Sequence, residues 1–279
     1  MRTALIPFIF LASVSLSAQV SYRGVPYIRN FAPETYRGSE QNWAIVQDST
    51  GVMYFGNNDF GILVYDGVRW EQIALPENPI VRSLHIHRDV IYAGGVNEFG
   101  YLTTDPDGKM TYRSLSSQIP ANDRPFADVW KIYSIGNRVY FSCELDRLFV
   151  FENLKHVKTV ALPHASLFTF PVNGKVVAGT HLEGLMTLEN DTFLTMPGGD
   201  FFAYKPVLSI LPWEGSWWQV GTYSEGVFLY HPETGEISHR FPSPEANRYL
   251  KEHSLYHAIS LPGNHTAYAT LEGGALIID

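Results

Sequence analysis

The sequence predicts an all-β fold built as a radial β-propeller, on three observations. One phrase of apolar strand, turn and second strand recurs six times; each recurrence has the shape of four short strands; and convincing helix signals are nearly absent. With 279 residues, 45% apolar and 14% aromatic, the chain can bury a large single core, while 17% charged residues leave little for polar helix surface.

The first element is a leader. "MRTALIPFIFLASVSLSAQ" has a basic start, an apolar run from Ala4 to Leu16 and small residues near Ser17-Ala18, the pattern of a secretory signal peptide over residues 1–18, cut after 17 or 18. The run is short of the roughly 20 residues that span a bilayer, and an uncleaved anchor is the alternative. Residues 19–279 then form the propeller domain of an exported chain, periplasmic or secreted.

The repeats follow. "VMYFGNNDFGILVYDG" is succeeded by "VIYAGGVNEFGYLTTDPDG", "RVYFSCELDRLFVFEN", "KVVAGTHLEGLMTLEND", "WWQVGTYSEGVFLYHPETG" and "TAYATLEGGALIID". Aligning Gly56, Gly94, Ser142, Gly179, Gly221 and Thr270 gives spacings of 38, 48, 37, 42 and 49, or about 43 residues per unit, a propeller period. The second unit reads as strands a ("VRSLHIHRD"), b ("VIYAGG"), c ("GYLTTD") and d ("MTYRSLS"), the fifth as "VLSILPWEG", "WWQVGTY", "GVFLYHPETG" and "ISHRF". These are four-stranded antiparallel blades. The third unit has Ser142 and Arg147 where glycines are expected, which predicts a different b–c turn, since Arg does not readily adopt positive φ. "SPEANRYLKEHSL" (243–255) carries a helix start and is placed as an excursion between blades five and six. The sixth unit has strands a to c and stops at Asp279. Either residues 22–31 ("YRGVPYIRNF") supply its outer strand and close a six-bladed ring, or the chain is the front part of a longer, seven-bladed propeller; the second is the expectation.

"QNWAIVQDSTGVMYFGNNDFGILVYDG" resembles the repeat of the two-component regulator propeller family, with a Trp strand, Asp-x-x-Gly, an aromatic strand and a Gly turn into Tyr-Asp. "IYAGGVNEFGYL", "FADVWKIY" and "LYHAISLPGNHTAYATLEGGALIID" resemble further stretches of such sensors, so the likeness covers about residues 25–279. It implies an extracytoplasmic, non-catalytic ligand-sensing module of a bacterial receptor. Downstream signalling domains of the same polypeptide, and possible receptor dimers, are the implied partners.

Candidate recognition residues fall on the face shared by b–c and d–a loops. Acidic residues stand at matched b–c places, Asp59, Glu98, Asp146, Glu183, Glu225 and Glu272. They form either a ring of carboxylates at the channel mouth or, the favoured reading, acceptors for the N–H groups of their own turns. Phe60, Phe99 and Tyr223 flank them, Phe201 opens the loop into blade five, and Arg124 can pair with an anionic group or with Asp123 or Asp128. Aromatic faces beside polar groups suit a small-molecule or oligosaccharide ligand, with packing between blades as the competing role. Cys143, the lone cysteine, reads as a core residue. His85 and His87 share a strand face, but no third ligand is placed by spacing, so no metal site is expected.

No phosphate loop and no G-x-S-x-G motif occurs, and neither a cofactor nor catalysis is expected. A net charge of −8 without a basic cluster excludes a nucleic-acid footprint. The alternatives are a secreted glycosidase or lyase using paired carboxylates on the same fold, and a free-standing propeller interaction platform.

Overall fold

The computed structural model describes residues 28–77, 80–143, 147–162, 166–241 and 243–278. The leader, residues 22–27 of the proposed closing strand and Asp146 lie outside them; residues 28–31 form no strand.

Consecutive hairpins build six blades. Blade 1 holds β1 (Asn42–Gln47), β2 (Met53–Asn57), β3 (Ile62–Tyr65) and β4 (Trp70–Ile73). Blade 2 holds β5 (Val81–His87), β6 (Val90–Gly95), β7 (Glu98–Thr104) and β8 (Met110–Ser114). Blade 3 has β9 (Val129–Ile135), β10 (Arg138–Cys143), β11 (Arg147–Glu152) and β12 (Lys155–Ala161). Blade 4 has β13 (Phe168–Val172), β14 (Lys175–Thr180), β15 (Gly184–Glu189) and β16 (Thr192–Thr195). Blade 5 has β17 (Val207–Pro212), β18 (Trp218–Thr222), β19 (Gly226–Tyr230) and the short β20 (Ile237–Ser238). Blade 6 has β21 (Leu255–Ser260), β22 (Thr266–Thr270) and β23 (Ala275–Ile278). Five sheets are four-stranded and the sixth is three-stranded, all antiparallel in chain order.

Local chemistry sets the hairpins. Two-residue loops with both φ angles positive, the geometry that matches strand twist, fall at Arg88-Asp89, Asn153-Leu154, Asn173-Gly174 and Asn190-Asp191. The inter-blade helix spans Pro244–Glu252, where Ser243 Oγ caps it by accepting from Ala246 N at 3.2 Å and proline occupies the first turn.

Cores lie in the seams between blades. Leu84, Ile91 and Ala93 of blade 2 pack on Tyr54 and Ile62 of blade 1, and Tyr92 and Phe99 pack on Phe141 and Phe149 of blade 3. Blades 4, 5 and 6 share one cluster around Phe202, Trp218, Tyr230, Leu255 and Tyr268. Cys143 is fully buried in the second of these seams.

The aligned glycines have their explanation here. A Cβ on Gly56 would lie 2.9 Å from Val81 Cγ1, on Gly94 2.6 Å from Val129 Cγ1, on Gly179 2.7 Å from Val207 Cβ and on Gly221 2.7 Å from Leu255 Cδ2. Each partner opens the inner strand of a following blade. Glycine recurs at this place to let one blade's second strand touch the next blade's first, not to reach positive φ. Positive φ is needed one turn later, at Gly61, Gly184, Gly226 and Gly274. Arg147, which stands at that second place in blade 3, opens β11.

Inner strands pack in succession, β1 on β5, β5 on β9, β9 on β13, β13 on β17 and β17 on β21. Among the described residues no comparable seam joins β21 to β1. Ile45 on β1 and Ile259 and Ile277 on blade 6 are 57%, 48% and 66% exposed, so one face of each terminal blade stays uncovered.

Candidate functional site

The inner strands surround a cavity of about 500 Å³, within the range of small-ligand sites. Five of these strands carry a register slip near their start, and the slipped residue is Trp43, Arg82, Trp130, Leu208 or Tyr256. A β-bulge re-aims a side chain relative to the regular pleat. Trp43, Arg82, Trp130 and Tyr256 line the cavity, joined by Lys131, Phe168 and His257.

These side chains hold one another. Trp43 Nε1 donates to Asn58 Oδ1 at 3.0 Å, and the Trp43 and Trp130 rings meet edge to face at 5.6 Å. The Arg82 guanidinium lies 4.1 Å from the Trp43 ring and 4.6 Å from the Trp130 ring, a cation–π contact to both. Its Nε donates to Asp128 Oδ2 at 2.8 Å. Its Nη1 is buried and has no hydrogen-bond acceptor among the described residues. From β9, Lys131 reaches across to blade 6, where its ammonium lies 3.3 Å from His257 Nδ1, and it also sits 5.0 Å from the Phe168 ring. Burial lowers the Lys131 pKa to about 8. Burial, then the adjacent Lys131 charge, lowers that of His257 to about 4. At neutral pH the imidazole is therefore neutral, and its Nδ1 accepts a hydrogen bond from the ammonium. The arrangement offers aromatic faces, one ammonium and an unsatisfied guanidinium N–H.

The residues singled out in the sequence are placed elsewhere. None of Asp59, Glu98, Glu183, Glu225 and Glu272 lines the cavity, because a b–c turn sits one to two strand spacings, roughly 5–10 Å, outward from the inner strand. Glu98 is turned toward its own blade: Oε1 accepts from Tyr112 OH at 2.8 Å and Ser114 Oγ at 2.7 Å, and Oε2 from Ser116 Oγ at 3.0 Å. The turn amides are not satisfied by carboxylates in blades 4 to 6. Thr180, Thr222 and Thr270 donate to the carbonyls of Gly184, Gly226 and Gly274, and accept from Glu183 N, Glu225 N and Gly273 N. In blade 1, Asn57 Oδ1 accepts from Asp59 N at 3.3 Å. Asp59, Glu225 and Glu272 are exposed and Glu183 is half-buried.

Of the aromatics, Phe99 is fully buried among Phe126, Phe141 and Phe149 and presents no face to a ligand. Phe201 packs on Phe202, Phe228 and His239, with the Lys205 ammonium 4.4 Å from its ring. Both serve blade packing. Phe60 and Tyr223 are exposed on b–c turns, as are Val96, Leu182 and Leu271 at comparable places, so apolar tips rim this face. Arg124 is exposed and donates from Nη2 to Ile119 O at 2.7 Å; Asp128, offered as its partner, pairs with Arg82 instead. His85 Nε2 lies 3.0 Å from Ser134 Oγ, and burial, then His87, lowers its pKa to about 4. Among the described residues no group of three or more His, Cys, Asp or Glu is placed to hold a metal.

Sequence reasoning missed the channel residues because a register slip is a property of pairing. A signal was present all the same: "NWAIV", "VRSLH", "VWKIY", "VLSIL" and "LYHAI" stack Trp43, Arg82, Trp130, Leu208 and Tyr256 in one column.

No protein-family model matches the chain, and no curated protein matches it. Solved structures do. The extracellular domain of a putative hybrid two component system from B. thetaiotaomicron matches with a TM-score of 0.61 at 20% identity, over 85% of this chain and 31% of that one. What is shared is the propeller fold. Virginiamycin B lyase from Staphylococcus aureus matches at 0.58 and 13% identity, over 81% of this chain and 76% of its own. The β-propeller domain of Myceliophteria thermophila Cps50 (Swd1) matches at 0.64 and 11%, over 86% and 82%. Against the two component system domain, the chain spans about a third of its counterpart's length. No helix among the described residues is long and apolar enough to cross a membrane.

Proposed function

We propose that this chain is the ligand-sensing propeller of an exported bacterial receptor, binding a small ligand without turnover in the channel cavity. The observation that carries the reading is the cluster of Trp43, Arg82, Trp130, Lys131 and Tyr256 around one cavity. Equivalent positions of four blades, Trp43, Arg82, Trp130 and Tyr256, converge there, which core packing does not require. The likeness of fold to an extracellular two component system domain agrees with the sensor class, though the same fold is shared with a lyase and with the Cps50 propeller. Signalling then follows from differential affinity, the ligand favouring one packing of the propeller against its partner domains. The apolar rim of Phe60, Val96, Leu182, Tyr223 and Leu271, interleaved with Asp59, Glu225 and Glu272, is the surface we assign to that packing.

The test is a ligand screen on the intact exported chain, read by tryptophan fluorescence and calorimetry, with chromatography of the ligand afterwards. Saturable binding with the ligand recovered unchanged supports a sensor. Trp130→Ala is expected to weaken binding at least tenfold, about 1.4 kcal/mol or more, with the fold retained. A consumed glycan would replace this reading with the lyase or glycosidase one. A protein partner bound in the absence of any small ligand would favour the platform.

A further inference from the structure

We propose that the channel cavity selects an anionic ring compound, a sugar or other small ring bearing a carboxylate or sulfate. Its charged group seats between Arg82 and Lys131, and its ring lies against Trp43, Trp130 and Tyr256. The inference rests on the sensor reading and names the class of ligand.

Four observations carry it. Lys131 stands in the cavity wall with no carboxylate partner among the described residues, its contacts being a neutral imidazole and an aromatic face. Arg82 is neutralised by Asp128 through Nε alone, which leaves the buried Nη1 donor without an acceptor. Both groups line the same cavity, and removing a donor's water without supplying an acceptor is costly. The charged and titratable groups of the cavity wall are Arg82 from β5, which pairs with Asp128 beside β9, Lys131 from β9, and Tyr256 and His257 from β21, with His85 further along β5 beside Ser134. Asp128 is taken by Arg82, so the cavity carries one uncompensated positive charge. In a chain of net charge −8 that is not a property of the surface at large. A carboxylate or sulfate has oxygens enough to accept from both groups, as charge-assisted hydrogen bonds. The aromatic walls then accept the apolar face of the ring that bears it.

An anion that needs the Lys131 ammonium loses affinity as pH rises through the lysine's pKa of about 8. The expected slope above that value is about tenfold per pH unit. Removing the charge relieves a half-buried ammonium that has no carboxylate partner among the described residues, so Lys131→Met is expected to be at least as thermally stable as the wild type while losing anion binding.

The experiment titrates the intact chain with sodium sulfate, sodium glucuronate and glucose at constant ionic strength, read by tryptophan fluorescence between pH 6 and 9.5. The Lys131 ammonium is followed by NMR in parallel. Expected are saturable responses to glucuronate and more weakly to sulfate, none to glucose, an upward shift of the lysine titration with sulfate, and loss of both in folded Lys131→Met. The proposal is overturned if glucuronate binds no better than glucose, if Lys131→Met binds as the wild type does, if affinity is flat across the pH range, or if neither anion gives a saturable response. Neutral oligosaccharides binding in a Trp130-dependent way would leave the sensor reading standing while this inference fails. Turnover of any probe would remove the sensor reading alone.

Discussion

Glu98 opens β7, and its carboxylate accepts from three hydroxyls of its own blade, those of Tyr112, Ser114 and Ser116. Burial, then the Glu98 charge, pushes the Tyr112 pKa far up, which keeps the phenol a donor. Glu98→Ala is therefore expected to lower the unfolding free energy by about 1–3 kcal/mol, since three half-buried donors lose their acceptor. Urea denaturation measures it, and unchanged stability with lost ligand binding would return Glu98 to the recognition surface. Lys131 is the opposite case, a half-buried charge with no carboxylate partner among the described residues. The sequence shows both as single charged letters in strand patterns. Only the partners tell them apart, and those come from strands 14–18 residues away for Glu98 and from the opposite blade for Lys131.

At the scale of strands and turns, the repeat's glycine is a contact requirement between blades. In Gly94→Ala the added methyl meets Val129 Cγ1 at 2.6 Å and Ser83 Oγ at 2.8 Å. Overpacking of that kind costs about 1–3 kcal/mol. Thermal unfolding of Gly94→Ala should show it, whereas a wild-type melting temperature would mean that the seam opens without cost. The strand boundaries of blades 2 and 5 and the capped helix after Ser243 were legible in the sequence, because alternation, turn residues and the N-cap are local. The glycine column was legible as a repeat, but its cause was not, since the group it avoids belongs to another blade. The same holds for the bulges that turn Trp43, Arg82, Trp130 and Tyr256 into the channel. A slip in register is decided by the partner strand.

Across the whole molecule, burial is graded along the ring. Blades 2 to 5 are covered on both faces by neighbours, while β1 of blade 1 and β21 and β23 of blade 6 alternate buried or half-buried with exposed residues. Hydrogen exchange should follow that gradient. The slowest amides are expected in β10, β14 and β18, and the fastest strand amides in blades 1 and 6; uniform protection would mean that the uncovered faces are covered in solution. What the sequence by itself determined is the propeller, since six repeats of strand and turn that cannot bury their apolar faces singly must stack radially. It also determined the turns and the helix, whose causes lie within a few residues. Only the tertiary structure decided that Asp59, Glu98, Glu183, Glu225 and Glu272 stay outside the channel, that Phe99 and Phe201 belong to the seams, and that cationic and aromatic side chains meet in one cavity. The physical reason is that a channel is lined by residues about 40 or more positions apart, brought together by blade packing and aimed by interstrand register, neither of which a local pattern encodes.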